Sequence, residues 1–298
     1  MQIKPKNYFR HRFLPIEVLM APHRAKRPHD NGKKKSNKCP FCPGNESETS
    51  TELARISNNG KWLLRAVKNK FPVIDEEDGI HEVIIEHREH NKRFANFSVD
   101  ELTLAIKFAL ERKAEAEKQP HIKFAALLKN SGRLAGASLQ HEHSQLLAFK
   151  FVPEVIAAIQ KNFNKFKERT GKCPVCEQLK EEVTVFENSY AKAIAPKASR
   201  VEYELAIIPK RHFAKFSEIK DEEIRGIAKI LRKALKRLAK EGIDYNLLYY
   251  DAVADNDFHA FIILLPRKTI LGGQEYLTSL ITLIHDAKEV REFYRKAI

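Results

Sequence analysis

No run of apolar residues in this chain approaches the ~18 that a membrane-spanning helix requires. The longest apolar stretches, Ala260–Pro266 and Leu277–Ile284, are strand-length or mixed. The opening Met1-Gln2-Ile3-Lys4-Pro5-Lys6 lacks the apolar heart of a secretory signal, so a cytoplasmic location and no membrane partner are expected. Sulfur is scarce, with two methionines and four cysteines in 298 residues, which excludes a disulfide scaffold. Acidic side chains are the minority: 39 Asp plus Glu against 53 Lys plus Arg leave a formal charge of +14. That excess favours polyanions, either phosphorylated small molecules or nucleic acid. Abundant Lys and Glu beside few Cys and Met is also how a thermophile surface reads, so charge alone does not choose a partner.

What is present is patterned. The apolar share of 43% fits a globular chain with a sizeable core, in one large domain or two smaller ones. The four cysteines form two alike pairs, Cys39-Pro40-Phe41-Cys42 and Cys173-Pro174-Val175-Cys176. Such pairs are metal-binding or redox-active in a cytosolic chain, and neither has the strand–helix setting of a redox motif. With histidines downstream of each, they read as two zinc sites.

The pairing points to an internal repeat. An offset of 122 residues lays His81–Ile85 on Tyr203–Ile207, His90 on His212, Glu101 on Glu223, and Phe124–Leu128 on Asn246–Tyr250. Each half then reads as a cysteine knuckle, a strand, a long helix and two more strands. The first strands are His81–Glu86 and Tyr203–Ile208, rich in Ile and Val. The first helix opens on a capping box, Ser98-Val99-Asp100-Glu101. The second opens on Asp221-Glu222-Glu223 and carries one apolar stripe, Ile224, Ile227, Leu231, Leu235 and Leu238, before Gly242 stops it. Strands at Ile122–Leu128, Ser144–Phe151, Leu247–Ala252 and Phe258–Leu265 follow. The fold class expected is α+β: two similar halves, residues 1–160 and 161–298, each a mainly antiparallel sheet with a long helix. Asn31–Asn37, with three lysines, reads as a solvated loop.

The first metal site takes Cys39, Cys42, His90 and His141, with His87 competing for the place of His90; the offset favours His90. The second takes Cys173, Cys176, His212 and His259. Zinc is expected once per half, in a structural role. Alternation along a strand puts His141, His143 and Gln145 on one side. Ahead of them, Lys129–Ser138 carries small residues and two glycines that let backbone amides approach a phosphate. Glu142 would either change the phosphate environment or point to solvent from the opposite face.

The run Asn130-Ser131-Gly132 … Gly136-Ala137-Ser138-Leu139-Gln140-His141-Glu142-His143-Ser144-Gln145 resembles the active-site signature of galactose-1-phosphate uridylyltransferases, the nucleotidyl-transferase branch of the histidine-triad superfamily. His23–Pro28, Cys39–Cys42 and Asn69-Lys70-Phe71-Pro72 match that family as well, in order and over nearly the whole chain. The resemblance implies two histidine-triad-like halves and a covalent nucleotidyl-histidine on His143. It implies that Gln145 and Ser138 contact the phosphoryl group, Arg24 and Arg27 hold phosphates, and Asn69 and Asn130 face the nucleoside. It also implies a homodimer. The second half has Phe261 where the nucleophile would stand and cannot repeat the chemistry there. Arg267-Lys268 … Gly272-Gly273-Gln274-Glu275 is similar to the family's sugar-recognition stretch.

The leading functional expectation is uridylyl transfer from UDP-glucose to a hexose 1-phosphate, with nucleotide sugar and sugar 1-phosphate as partners. An alternative is adenylyl transfer to phosphate by an ADP-sugar or dinucleoside polyphosphate phosphorylase. A zinc-containing nucleic-acid-binding module is a third reading; it lacks a recognition helix and has no use for an H-x-H-x-Q strand.

Overall fold

In a computed structural model of the chain, residues 4–27, 39–253 and 257–296 are described. The lysine-rich stretch Asn31–Asn37 lies outside them. A short hairpin, β1 (Tyr8–Arg10) and β2 (Glu17–Leu19), comes first. The first half continues with β3 (Glu52–Asn58), β4 (Lys61–Lys68), β5 (Gly79–Ile85), helix α1 (Val99–Glu117), β6 (Phe124–Ser131) and β7 (His143–Phe149). Helices α2 (Glu154–Thr170) and α3 (Pro174–Glu181) lead into the second half. It comprises β8 (Val183–Glu187), β9 (Ala191–Ala195), β10 (Leu205–Pro209), α4 (Asp221–Lys240), β11 (Tyr245–Tyr250) and β12 (Phe261–Pro266). Helices α5 (Gly273–Thr278) and α6 (Ala287–Arg295) close it.

Ten strands form one sheet in the order β3-β4-β5-β7-β6-β11-β12-β10-β9-β8, antiparallel throughout. The architecture is α+β, as the sequence pattern requires. The halves meet edge to edge where Asn130 of β6 pairs with Asn246 of β11. Joining there removes two exposed sheet edges that would otherwise offer unpaired amides. The chain crosses from one half to the other through α2, which contains residues 160 and 161.

One face of the sheet is covered by α1 and α4, which also pack on each other. The α1 capping box forms as expected, with Ser98 and Glu101 exchanging bonds. All five residues of the α4 stripe are buried, and Gly242 takes φ +65° just past the helix, as a C-terminal cap demands. Leu127, Leu146, Leu247 and Ile262 supply the sheet side of this shared core. The opposite face differs between halves. In the second, Phe163 of α2 and Val175 of α3 cover Ile263, Leu265 and Phe258. In the first, the Cys39–Cys42 knuckle lies over Trp62, Val67, Val83 and Ile85, Ile74 and Phe151 pack with Tyr8 and Leu19 against Leu147 and Phe149, and a cleft opens beside the knuckle. Among the described residues no helix is long and apolar enough to cross a membrane.

Strand limits shift from those expected by a few residues. One shift affects the site: β7 begins at His143, so His141 precedes the strand instead of lying in it. The pleat continues into that segment, since the amide of Glu86 donates to the carbonyl of Glu142 at 3.2 Å.

Candidate active site

The cleft in the first half is lined by Arg27, Phe41, Asn69, Ser138, His143 and Gln145, together with Lys68 and Lys70. Residues from five separate parts of the sequence therefore converge there. β7 supplies His143 and Gln145, two apart and on one face. The turn before it supplies Ser138. The 3₁₀ segment Pro22–Lys26 docks on the Asn69–Pro72 loop and brings Arg27 to the cleft, while Arg24 is not among the lining residues. Arg24 donates to the carbonyl of Phe71 at 2.5 Å, and the His23 ring meets the carbonyl of Pro72 at 2.7 Å.

His143 is buried, and its Nδ1 donates to the backbone oxygen of His141 at 2.8 Å. A neutral imidazole with its proton on Nδ1 carries its lone pair on Nε2. Burial pulls this ring from the ordinary 6.5 down to about 4, and the positive Lys129 adds to the shift. Phe41 stands edge-on to the ring at 5.3 Å, holding its plane. A buried, neutral, oriented imidazole in a basic cleft is equipped to attack an electrophilic phosphorus.

Glu142 lies on the opposite face of the strand from His143 but does not reach solvent. It is buried on the helix-covered face, opposite the side that His143 presents to the cleft. Its carboxylate lies 2.5 Å from Lys129 Nζ and accepts from Ser131 at 3.3 Å. Lys129 also pairs with Glu86, which accepts from Ser144 Oγ at 2.5 Å. The same Lys129 donates to the carbonyl of His143 at 3.3 Å. One buried ammonium thus ties residues 142, 143 and 144 to β5 and β6.

Two cysteine–histidine quartets assemble as the spacing implied. Cys39, Cys42, His90 and His141 place their donor atoms within 4.8 Å of one another, as do Cys173, Cys176, His212 and His259. Sulfur-to-Nδ1 distances of 3.5–3.6 Å in the first and 3.3–3.4 Å in the second are near the ~3.6 Å edge of a tetrahedral zinc with two thiolates and two imidazoles. In both quartets the last histidine donates its Nε2 proton to a backbone carbonyl, His141 to His87 at 2.7 Å and His259 to Pro209 at 3.0 Å. That leaves Nδ1 bare for a cation, the usual second partner of a metal-bound imidazole. Burial and a neighbouring thiol push Cys39 up to about 12 and Cys176 to about 11, so two thiolates need a cation beside them. Both quartets therefore fit a divalent metal. His87 is engaged elsewhere: its Nδ1 accepts from the amide of Glu89 at 2.9 Å.

Three sequence readings are placed differently. Asn130 is not among the cleft residues; its Oδ1 accepts from Asn246 at 2.7 Å in the seam between halves. The glycine at 132 serves Asp244 and not a phosphate, because a Cβ there would meet the Asp244 carboxylate at 1.8 Å and φ is +89°. Arg267 also joins the seam, donating to Asn246, while Gly272, Gly273, Gln274 and Glu275 sit at the exposed start of α5 away from the cleft.

Other residues went unnoticed in the sequence. His81 of β5 sits between Asn69 and Gln145, with Nε2 at 2.9 Å from Asn69 Nδ2 and 3.1 Å from Gln145 Oε1. Its alternation with Val83 and Ile85 was the available signal, a polar residue on a buried strand face. Lys129 and Glu86 gave none, since only pairing of β5, β6 and β7 brings them together.

Comparison with known proteins adds to this geometry. Residues 22–152 match a family model described as "Domain of unknown function (DUF4931) N-terminal domain". The chain is 28% identical over 295 residues to an ADP-glucose phosphorylase of Arabidopsis thaliana, covering 87% of this chain and 83% of that protein. It is 27% identical over 283 residues to a galactose-1-phosphate uridylyltransferase of Thermotoga maritima, covering 89% and 88%. Among solved structures it superposes on the Arabidopsis thaliana ADP-glucose phosphorylase with bound ADP-glucose at a TM-score of 0.82 and 26% identity, covering 95% and 96%.

Proposed function

We propose that this chain, a homologue of galactose-1-phosphate uridylyltransferases and of ADP-glucose phosphorylase over most of its length, transfers nucleotidyl groups through a covalent nucleotidyl-histidine on His143. The observation that carries the reading is the fixed Nδ1–H of His143, which turns the Nε2 lone pair to a cleft shared with Gln145, Ser138, Asn69 and Arg27. In the first step Nε2 attacks the α-phosphorus of a nucleoside diphosphate hexose. An N–P bond forms, the P–O bond breaks, and the hexose 1-phosphate leaves with the electron pair. In the second step an oxygen of the acceptor phosphate attacks the same phosphorus and His143 leaves as a neutral imidazole. Gln145 and Ser138 donate to the non-bridging oxygens, and Arg24 and Arg27 neutralise the phosphates.

Two readings of base and acceptor share this machinery. One is uridylyl transfer between UDP-glucose and a hexose 1-phosphate. The other is adenylyl transfer from an ADP-sugar to phosphate, supported by the match to a phosphorylase with ADP-glucose bound. We assign one structural zinc to each quartet. We also assign a homodimer, because Ile270, Tyr276, Leu277, Leu280 and Ile284, all in and around α5, are exposed large apolar side chains.

Intact-protein mass after incubation with UDP-glucose or ADP-glucose tests the proposal. The expected result is a gain of one UMP or one AMP in the wild type, and none in His143→Ala. No gain with either sugar nucleotide, and no release of glucose 1-phosphate, overturns it. Light scattering tests the dimer.

A further inference from the structure

We propose that His81 is a positioning residue for this reaction: it fixes the amide of Gln145 so that the NH₂ end faces the phosphoryl group. The inference rests on the nucleotidyl-transfer reading of the cleft.

His81 is buried on β5, on the face that carries His143 and Gln145 on β7. Its Nδ1 lies 3.0 Å from the backbone nitrogen of Val73, which has a hydrogen to give. Nδ1 therefore accepts and carries no proton. In a neutral imidazole the proton is then on Nε2. Burial holds the ring neutral, drawing it to about 4.

Two carboxamides stand beside that Nε2–H. Asn69 cannot receive it, because its Oδ1 already accepts the amide of Phe71 at 2.8 Å and its NH₂ is the end next to His81. Gln145 can, with Oε1 at 3.1 Å. The proton goes to Gln145, and its Oε1 is held on the protein side. The NH₂ of Gln145 is the remaining end of the amide. Reversing the amide would leave the Nε2–H with no acceptor, because Asn69 presents only its NH₂ there, and would aim a carbonyl dipole at an anionic phosphate. Both changes are unfavourable, so the backbone of Val73 decides, through one imidazole, which way Gln145 points.

The relay also joins two parts of the cleft. The backbone amide of Asn69 donates to the carbonyl of His81 at 2.8 Å and that of Val73 to its Nδ1 at 3.0 Å, so the Asn69–Val73 loop is tied to β5 at two points. An ordered loop and an ordered phosphoryl donor come as one unit.

A double-mutant cycle on single-turnover nucleotidylation tests the relay, using His81→Phe, Gln145→Ala and the pair. If His81 acts through Gln145, His81→Phe slows the step about 10- to 100-fold, a loss expected when a preorganised donor to the developing charge becomes free to turn. The double variant is then no slower than Gln145→Ala within about twofold, since coupled residues do not add. The nucleotide KM changes little, and His81→Gln, which keeps an N–H for Gln145, recovers most of the rate. Multiplying effects, or a loss confined to KM, overturn the relay. Nitrogen NMR of the wild-type imidazole gives a readout independent of activity. A proton on Nε2 is expected, and a proton on Nδ1 refutes the relay even if His81→Phe folds poorly. Failure of the function itself would show separately, as absence of any adduct on His143 in a protein whose His81 still has the Nε2–H form.

Discussion

Nδ1 of His143 donates to the backbone oxygen of His141, 2.8 Å away, so a residue of the first metal quartet sets the tautomer of the residue that faces the cleft. The link is through main chain, two residues long. A shift of the His141 backbone would therefore disturb the bond that orients the His143 ring.

On the proposed mechanism, replacing the imidazole should remove the chemistry. His143→Ala is expected to lower nucleotidyl transfer at least about 10³-fold, as loss of a covalent nucleophile does. Its fold should persist, and circular dichroism with a thermal melt checks that.

The pH profile should report the buried ring. The reactive form is neutral, and burial brings His143 to about 4 from the ordinary 6.5. Activity is therefore expected to hold as pH falls through 6.5 and to drop only on approach to 4. The stability sign agrees. The unfolded imidazole takes up its proton first, so the contribution is full above 6.5 and is lost between 6.5 and 4 as the pH is lowered. An acidic limb of kcat/KM centred near 6.5 would contradict this.

The ammonium beneath the site should matter more than either carboxylate. Lys129→Met leaves Glu86 buried without a cation and Glu142 with only Arg93, 3.8 Å away, and is expected to cost about 3–5 kcal/mol. Glu142→Gln keeps a hydrogen-bonding group beside Lys129 and should cost about 1 kcal/mol. Urea unfolding of both variants ranks them.

Metal content should be two ions per chain by elemental analysis, one per quartet. Cys42→Ser should lose one ion and also slow nucleotidylation, because His141 is then free to move. Cys176→Ser should lose the other ion and lower the melting temperature, while uptake of nucleotide on His143 continues well below the melt.

A second nucleophile cannot be installed by one change. Phe261 stacks on Tyr250 at a centroid distance of 5.1 Å and packs with the core beneath α2 and α3. Phe261→His is expected to destabilise by about 1–3 kcal/mol, the cost of a polar group in an apolar setting. In a His143→Ala background it should form no adduct by mass.

Sequence by itself determined the repeat, the two cysteine–histidine quartets, the long amphipathic helices and the H-x-H-x-Q segment. Each is written in local spacing: two residues between paired cysteines, steps of three or four along α4, steps of two through His141, His143 and Gln145. The 122-residue offset then paired His90 with His212, one ligand of each quartet. Tertiary structure alone decided the rest. Glu142 found Lys129 and Glu86 because three strands pair in one register. Asn130 was drawn into the seam because β6 meets β11 there and not another strand. His81 acquired Gln145 and Val73 as partners across 64 and 8 residues of chain. The open cleft of one half and the filled face of the other follow from where α2 and α3 come to rest. Spacing can say which side of a strand a residue faces, but only the packed fold says what covers that side.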